Sequence, residues 1–314
     1  MVRKIISQHQ SNNRILMLCP DQNDSWATET AKQNKDIDIL TLYKPCNKMF
    51  RILRRLFVEI NVSIRPFLSS WYKKMNDYSV IIIDANIINS TLPQWLRKKK
   101  YKGRIIYWYW NPVSSCVHPK KIRNDLCEIW SFDPLDCENY KMHFNSQYYF
   151  STFKLEEEID IKYDVFFIGR EKGRLDYLNE LETVMNSMGI TTYFHIVNGN
   201  KLLEQKHEYK PLISYDKVLR LIGESRVILD IVQVGQSGQT LRSMEALFFS
   251  KKMITNNKSI IDCDFYCKEN IFVLDVDDIT RLKEFINTPF KLIEKNIIDK
   301  YEFSEWIKRF QDEE

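Results

Sequence analysis

Short, uninterrupted apolar runs return along this chain, and stretches with helical spacing of apolar residues lie between them. Arg14-Ile15-Leu16-Met17-Leu18-Cys19 ends in the turn cluster Pro20-Asp21-Gln22-Asn23. Ser79 to Asp84, Gly103 to Trp110 and Glu128 to Phe132 follow, the last stopped by Asp133-Pro134. A run without polar alternation reads as a strand covered on both faces, and such strands separated by helices build a parallel sheet. The pattern pauses at the charged connection Glu156-Glu157-Glu158 to Lys162, then restarts with Tyr163 to Ile168, Thr191 to Val197 and Arg226 to Val232. Lys252 to Thr255 and Asn270 to Leu274 complete the series. Leu175, Leu178, Leu181, Met185 and Met188 share one helical face that stops at Gly189, and Ser214 to Ile222 and Thr240 to Ser250 also read as helices. The expectation is an α/β chain of two Rossmann-like, doubly wound domains facing a cleft. They span residues 1–157 and 158–314, with the last helix a candidate to pack back on the first. In such sheets ligands sit at the carboxyl ends of strands.

Glycine sharpens that expectation. Only eight occur in 314 residues, and seven lie beyond residue 168. Four of them fall in two loops, Gly169-Arg170-Glu171-Lys172-Gly173-Arg174 and Gly235-Gln236-Ser237-Gly238-Gln239-Thr240, each between a strand-like run and a helix-like one. Glycine permits sharp turns and close backbone approach, and amides at a helix mouth flanked by cations favour a phosphate-bearing ligand. Gly169 and Gly173 are four apart, which is not the GxGxxG spacing of dinucleotide sites, and no GxxxxGK[ST] loop is present. In the second loop Arg242 and Glu245 follow three apart, so both project from one side of the helix. A carboxylate there can accept ribose hydroxyls while loop amides and Arg242 hold a diphosphate. A surface ion pair gives the same spacing.

Composition narrows the class. Net charge is +4, and the basic clusters concentrate between Lys48 and Lys102, which implies one cationic face and not a general nucleic-acid binder. The seven scattered cysteines lack paired CxxC spacing and read as reduced thiols, Cys263 and Cys267 being a poor metal pair. The polar N-terminal segment lacks a signal-peptide core, so the expected location is the cytoplasm.

Gly238 to Leu247, with Lys251-Lys252-Met253-Ile254-Thr255-Asn256 after it, resembles the donor-side segment of GT-B glycosyltransferases, in particular the bacterial enzymes that build capsule and lipopolysaccharide. Tyr163-Asp164-Val165-Phe166-Phe167-Ile168-Gly169-Arg170 is similar to the first strand and loop of the same donor domain, and Ile129 to Cys137 to the end of the acceptor domain. The resemblance implies transfer of a sugar from a nucleotide-sugar donor to a glycan or lipid-linked glycan acceptor. It implies that Glu245 binds ribose, and that Arg170, Lys172 and Arg242 steady the leaving group without a metal or other cofactor. Gly169, Arg174, Gly235, Gln236, Ser237, Gly238, Gln239 and Thr240 complete the expected donor site. Many retaining members carry a second glutamate eight positions earlier; here that position is Ser237, which leaves retention or inversion open. A polyol-phosphate transferase and a non-catalytic subunit of an assembly complex are the alternatives.

An inverting transfer needs a base to deprotonate the acceptor hydroxyl. Asp84 and Asp21 at strand ends are the candidates, with His118 third; helix capping is the plain alternative for the acids, and a loop position for His118. Trp108, Tyr109 and Trp110 are candidates to stack on sugar, although alternate members must face inward. In Lys48–Phe57, apolar and basic positions separate around a helix. Such a helix can lie on an anionic membrane surface, here the inner face of the plasma membrane, and a core-facing helix with a solvated basic side has the same pattern.

Overall fold

The computed structural model describes residues 14–19, 31–32, 34–35, 37–198 and 209–311. They form two compact units: the described residues up to Asn145 together with those from Trp306 onward, and Ser146–Glu305.

The first unit is built on six parallel strands: β1 (Ile15–Cys19), β2 (Ile37–Thr41), β3 (Val80–Asp84), β4 (Arg104–Tyr109), β5 (Glu128–Ser131) and β6 (His143–Phe144). Their spatial order is β2-β1-β3-β4-β5-β6. The chain winds outward from β1 to β2, then crosses back to β3 on the other side, so the topological switch point lies between β1 and β3. Ile81, Ile82 and Ile83 are sealed on both faces, as their unbroken apolar run predicts. Strand β2 escapes the sequence pattern because it lies at the edge. Ile37 and Ile39 point inward, while Asp38 accepts a hydrogen bond from Tyr78 and Leu40 is exposed. Strand β4 divides its aromatics. Tyr107 and Tyr109 join the main core, whereas Trp108 packs edge-on against Trp306 and Phe310, at 5.4 and 5.6 Å. Trp108 and Tyr109 are therefore closed to a sugar, because burial in the core consumes both ring faces.

Helix α1 (Lys48–Glu59), capped by the Asn47 side chain on the Phe50 amide at 3.0 Å, is inverted relative to a core-facing helix. It buries Arg54 and Val58 and half-buries Phe57, whose ring meets Phe67 edge-on. Met49, Ile52, Leu56 and Ile60 are 67, 56, 48 and 66% exposed. The Arg54 guanidinium lies 3.9 Å over the Tyr43 ring, and among the described residues its Nε and Nη1 meet no hydrogen-bond acceptor. Helix α2 (Leu92–Lys98) and helix α3 (Pro134–Tyr140) cover other parts of the unit, α3 capped by Asp133 on the amides of Leu135 and Asp136.

The second unit has five parallel strands, β7 (Tyr163–Arg170), β8 (Thr192–Val197), β9 (Ser225–Asp230), β10 (Lys252–Thr255) and β11 (Ile271–Val273), in the order β11-β10-β9-β7-β8. Helix α4 (Leu175–Ser187) buries the predicted Leu178, Leu181 and Met185, with Leu175 and Met188 packed at the margin. It is followed by Gly189 in the left-handed region at φ 69°. Helices α5 (Tyr215–Gly223), α6 (Leu241–Phe248), α7 (Leu282–Asn287), α8 (Lys295–Asp299) and α9 (Phe303–Lys308) follow in chain order, α9 straddling the boundary of the units. Lys251 and Lys252, the basic turn before β10, serve the fold. Lys251 donates to the carbonyls of Gly223 and Ser225, and Lys252 to the Phe285 carbonyl and the Thr288 hydroxyl. Among the described residues no helix is long and apolar enough to cross a membrane.

Candidate functional site

In the second unit the chain winds from β7 to β8, then returns past β7 to β9. The carboxyl ends of β7 and β9 are thus neighbours at the switch point, and the two glycine loops are the segments that leave them. Sequence spacing alone does not bring the loops together; the strand order does.

The first loop is tight. Lys172 and Gly173 both adopt positive φ, 48° and 77°, and the buried Glu171 accepts the Gly173 amide at 2.9 Å. A Cβ on Gly169 would stand 2.9 Å from Arg174 Nη2 and 3.1 Å from the Phe167 ring, so glycine is what lets the guanidinium lie there. Arg174 rests 5.3 Å over Phe167 and donates to the Arg170 carbonyl at 3.1 Å, while its Nε has no hydrogen-bond partner among the described residues. Burial pulls its affinity for a proton down, and the carboxylates of Asp230 and Glu171 pull it back up. Arg170 and Lys172 are exposed beside it.

The second loop is pinned from below. Thr240 caps α6 by accepting the amides of Arg242 and Ser243 at 2.9 and 3.4 Å. Its hydroxyl donates to Asp230 at 2.9 Å, and Ser243 donates to the other oxygen of Asp230 at 3.1 Å. Asp230 is fully buried at the end of β9; burial raises its pKa, and Thr240, Ser243, Arg174 and Arg242 lower it. Just beyond β10, Asn256 accepts the Val232 amide at 2.8 Å and Asn257 donates to the Ser237 carbonyl at 3.0 Å. Gln236 reaches the Gly238 carbonyl at 3.2 Å, and the buried Gln239 donates to the Cys263 thiol at 3.2 Å. Gly235, at φ 80°, has open space where a side chain would be. The loop is held at both ends and bare at its tip.

Arg242 and Glu245 do share a helix face, as an ion pair in which Glu245 is wholly buried. Its Oε2 faces Arg242, and its Oε1 accepts the Tyr215 hydroxyl at 2.8 Å, which in turn meets the Tyr149 hydroxyl. Burial pushes the Glu245 carboxyl up to about 7 against the pull of Arg242 and Tyr215. Oε1 is hydrogen-bonded and Oε2 lies against the Arg242 guanidinium without a hydrogen bond, so a ribose would have to displace Tyr215 or Arg242 to reach this buried carboxylate.

In the first unit Asp84 ends β3 at the switch point, partly exposed, and burial pushes its carboxyl up to about 6. Its side chain accepts no hydrogen bond among the described residues, while its backbone carbonyl accepts Asn89 at 3.0 Å. His118 caps the turn at Pro119–Lys121, its Nδ1 accepting the Lys120 amide at 3.2 Å, and its ring meets Tyr140 edge-on. Asp21 lies outside the described residues.

Sequence reasoning missed Asp230, Tyr215, Tyr149, Asn256 and Asn257 as parts of this site. Asp230 carries the same signal that singled out Asp84, an acid closing an unbroken apolar strand. Tyr149 and Tyr215 leave no such trace, since only the fold brings them to Glu245. Asp275-Val276-Asp277 has the DxD spacing of metal-dependent transferases, but Asp277 closes a turn by accepting the Val273 amide at 2.6 Å. Among the described residues no three His, Cys, Asp or Glu side chains gather as a metal site.

No family model and no curated protein matches the chain. Solved structures do. The lipopolysaccharide outer core galactosyltransferase WaaB in its apo form aligns over 95% of this chain and 98% of its own, with a TM-score of 0.51 and 11% identity. An alpha-glucosyltransferase in complex with UDP and a 13-mer DNA aligns over 96% of both chains, with a TM-score of 0.55 and 11% identity. The sucrose-phosphate synthase of Thermosynechococcus elongatus gives 0.54 at 12% identity, over 95% of this chain and 98% of that one. With two doubly wound parallel sheets aligned over nearly its whole length on such enzymes, the chain has the GT-B fold of glycosyltransferases.

Proposed function

We propose that the chain is a glycosyltransferase that moves a sugar from a nucleotide-sugar donor to a growing, lipid-linked bacterial surface polysaccharide. The observation that carries this reading is the meeting of both glycine loops at the switch point of the second sheet, with Arg174 and Arg242 both close enough to lower the pKa of buried Asp230. The WaaB structure, titled as a lipopolysaccharide galactosyltransferase, supports the acceptor class, and the UDP of the glucosyltransferase complex supports the donor class.

In this reading the open tip around Gly235 presents its backbone to the diphosphate. Arg170, Lys172, Arg174 and Arg242 supply the positive charge that a leaving nucleotide needs, and they do so without a metal. Glu245 aims Arg242, and Tyr215 holds Glu245. In the first unit, Asp84 is the base for the acceptor hydroxyl: a carboxyl with a pKa near 6 is ionised at neutral pH yet closer to the proton it must take than an ordinary aspartate. Of the other candidates, His118 already spends Nδ1 on its cap. The enzyme works in the cytoplasm, at the inner face of the membrane that carries its acceptor.

The test is incubation with a panel of nucleotide sugars and lipid-linked acceptor extracts. Nucleotide release from one sugar nucleotide, reduced about a hundredfold or more by Asp84→Asn, is the expected result. Turnover of a CDP-polyol alone would replace the sugar with a polyol phosphate, and tight donor binding with no turnover would make the chain a non-catalytic subunit.

A further inference from the structure

Helix α1 turns its apolar residues outward. Taking the buried Arg54 and Val58 as the inward side, Ile52 and Leu56 stand opposite, with Met49, Leu53 and Ile60 beside them. Along one flank run Lys48, Arg51 and Arg55; the single acid, Glu59, is paired to Arg55 at 3.0 Å. A helix of an ordinary globular face does the reverse, burying its apolar stripe and solvating its cations. Apolar residues outward with cations along the flank is the arrangement of a helix lying in a lipid interface.

A second feature adjoins it. The turn that follows α1 and one side of α2, from Thr91 to Lys99, line an open cavity of about 190 Å³. Asn61, Ser63, Gln94, Lys98 and Lys99 contribute polar and cationic groups to its lining, and the exposed Val62 stands at its edge. Among the described residues no carboxylate lines it. The cavity therefore matches a small anion, and its place beside the apolar ridge matches an anion carried at the surface of an apolar phase.

We propose that the outer face of α1 inserts into an anionic bilayer and that the Lys98–Lys99 cavity takes the phosphate of a phospholipid headgroup. The proposal rests on the membrane-linked acceptor only for its purpose; the surface stands on its own geometry. Lys48 and Arg51 face the headgroup layer, where each cation near an anionic surface strengthens binding roughly fivefold. Arg54 takes no part, because it is buried on Tyr43.

Vesicle flotation of the full chain tests this, with phosphatidylglycerol-containing vesicles against phosphatidylcholine alone. The wild type is expected to float with the anionic vesicles and to be released by salt. Ile52→Asp with Leu56→Asp, both exposed positions, should abolish flotation while leaving the circular dichroism spectrum unchanged. Lys98→Glu with Lys99→Glu should lower affinity for anionic vesicles by at least about twentyfold, and leave the residual binding to neutral vesicles unchanged. Absence of flotation, flotation unaffected by the Asp pair, or an anionic preference unaffected by the Glu pair each overturns the proposal. So does self-association in sedimentation that the Asp pair abolishes, which would make a second copy the occupant. Nucleotide binding measured on the same samples separates the two readings: donor binding without flotation defeats this surface alone, and flotation without donor binding defeats the enzyme assignment.

Discussion

Glu245→Gln changes the charge of one buried carboxyl and almost nothing of its shape, so its effect on stability is calculable from the surroundings of Glu245. The folded protein holds this carboxyl at a pKa of about 7, whereas its ordinary value is 4.5. Between those values the folded state keeps a proton that the unfolded chain has released. Stability from this group is therefore fully present below pH 4.5, is lost as pH rises, and levels off above 7. Each pKa unit is worth about 1.4 kcal/mol, which makes the loss between pH 5 and pH 8 about 2.5 kcal/mol. The glutamine does not titrate. The ion pair with Arg242 forms only as the carboxyl ionises, so it is already contained in the pKa of about 7; the exchanged contact with the Tyr215 hydroxyl shifts the whole curve by a constant and leaves the slope untouched. Urea unfolding of both proteins from pH 5 to 8 should show the difference, variant minus wild type, growing by about 2.5 kcal/mol; in thermal melts the gap should widen by about 5–10 °C. Parallel curves would mean that the carboxyl is in water and not sealed beneath Arg242 and Tyr215. A gap that closes with rising pH would mean that Arg242 holds the carboxylate charged.

Gly169→Ala places a methyl 2.9 Å from Arg174 Nη2, so the guanidinium must leave the Phe167 ring; calorimetry should find donor affinity down about tenfold with the fold intact, and unchanged affinity would remove Arg174 from the site. Thr240→Val deletes the cap of α6 and one donor to buried Asp230, and should cost about 2–3 kcal/mol in chemical denaturation. Asp84→Asn should erase the acidic limb of the activity–pH profile near pH 6, activity in the wild type rising through that pH as the carboxyl ionises. Arg54→Met should leave stability within about 1 kcal/mol of the wild type or raise it, because it removes a buried cation that has no carboxylate partner; a loss above about 2 kcal/mol would show that stacking on Tyr43 outweighs desolvation.

The elements with strong local signals were readable in the sequence, and those whose character depends on neighbours were not. Strand β3 announces itself because Ile81 to Ile83 are covered on both faces, while β2 alternates as an edge strand does and leaves a weaker trace. The glycine loops could be located one by one, since glycine is scarce and each follows a strand. Their meeting depends on the crossing of the chain between β8 and β9, which periodicity does not record. The spacing of Arg242 and Glu245 predicts their shared face, but the burial of Glu245 comes from Tyr215 and Tyr149, 30 and 96 positions away in sequence. Helix α1 shows the limit most plainly. Its wheel separates apolar from basic residues, yet which side meets the protein is settled by Tyr43 and Phe67 on other segments. Trp108 and Tyr109 likewise read as ligand platforms until the packing of Trp306 and the tyrosine core claims them.

In the proposed function the switch point of the second sheet holds a nucleoside diphosphate between its two glycine loops. Titration calorimetry with a panel of nucleoside diphosphates and their sugar conjugates tests it most directly, on the wild type and on Arg174→Ala with Arg242→Ala. One nucleotide is expected to bind the wild type, and the double variant to lose affinity by about a hundredfold or more, two charge-assisted contacts having gone. Binding of equal strength to both proteins, or binding of no nucleotide in the panel, would contradict it.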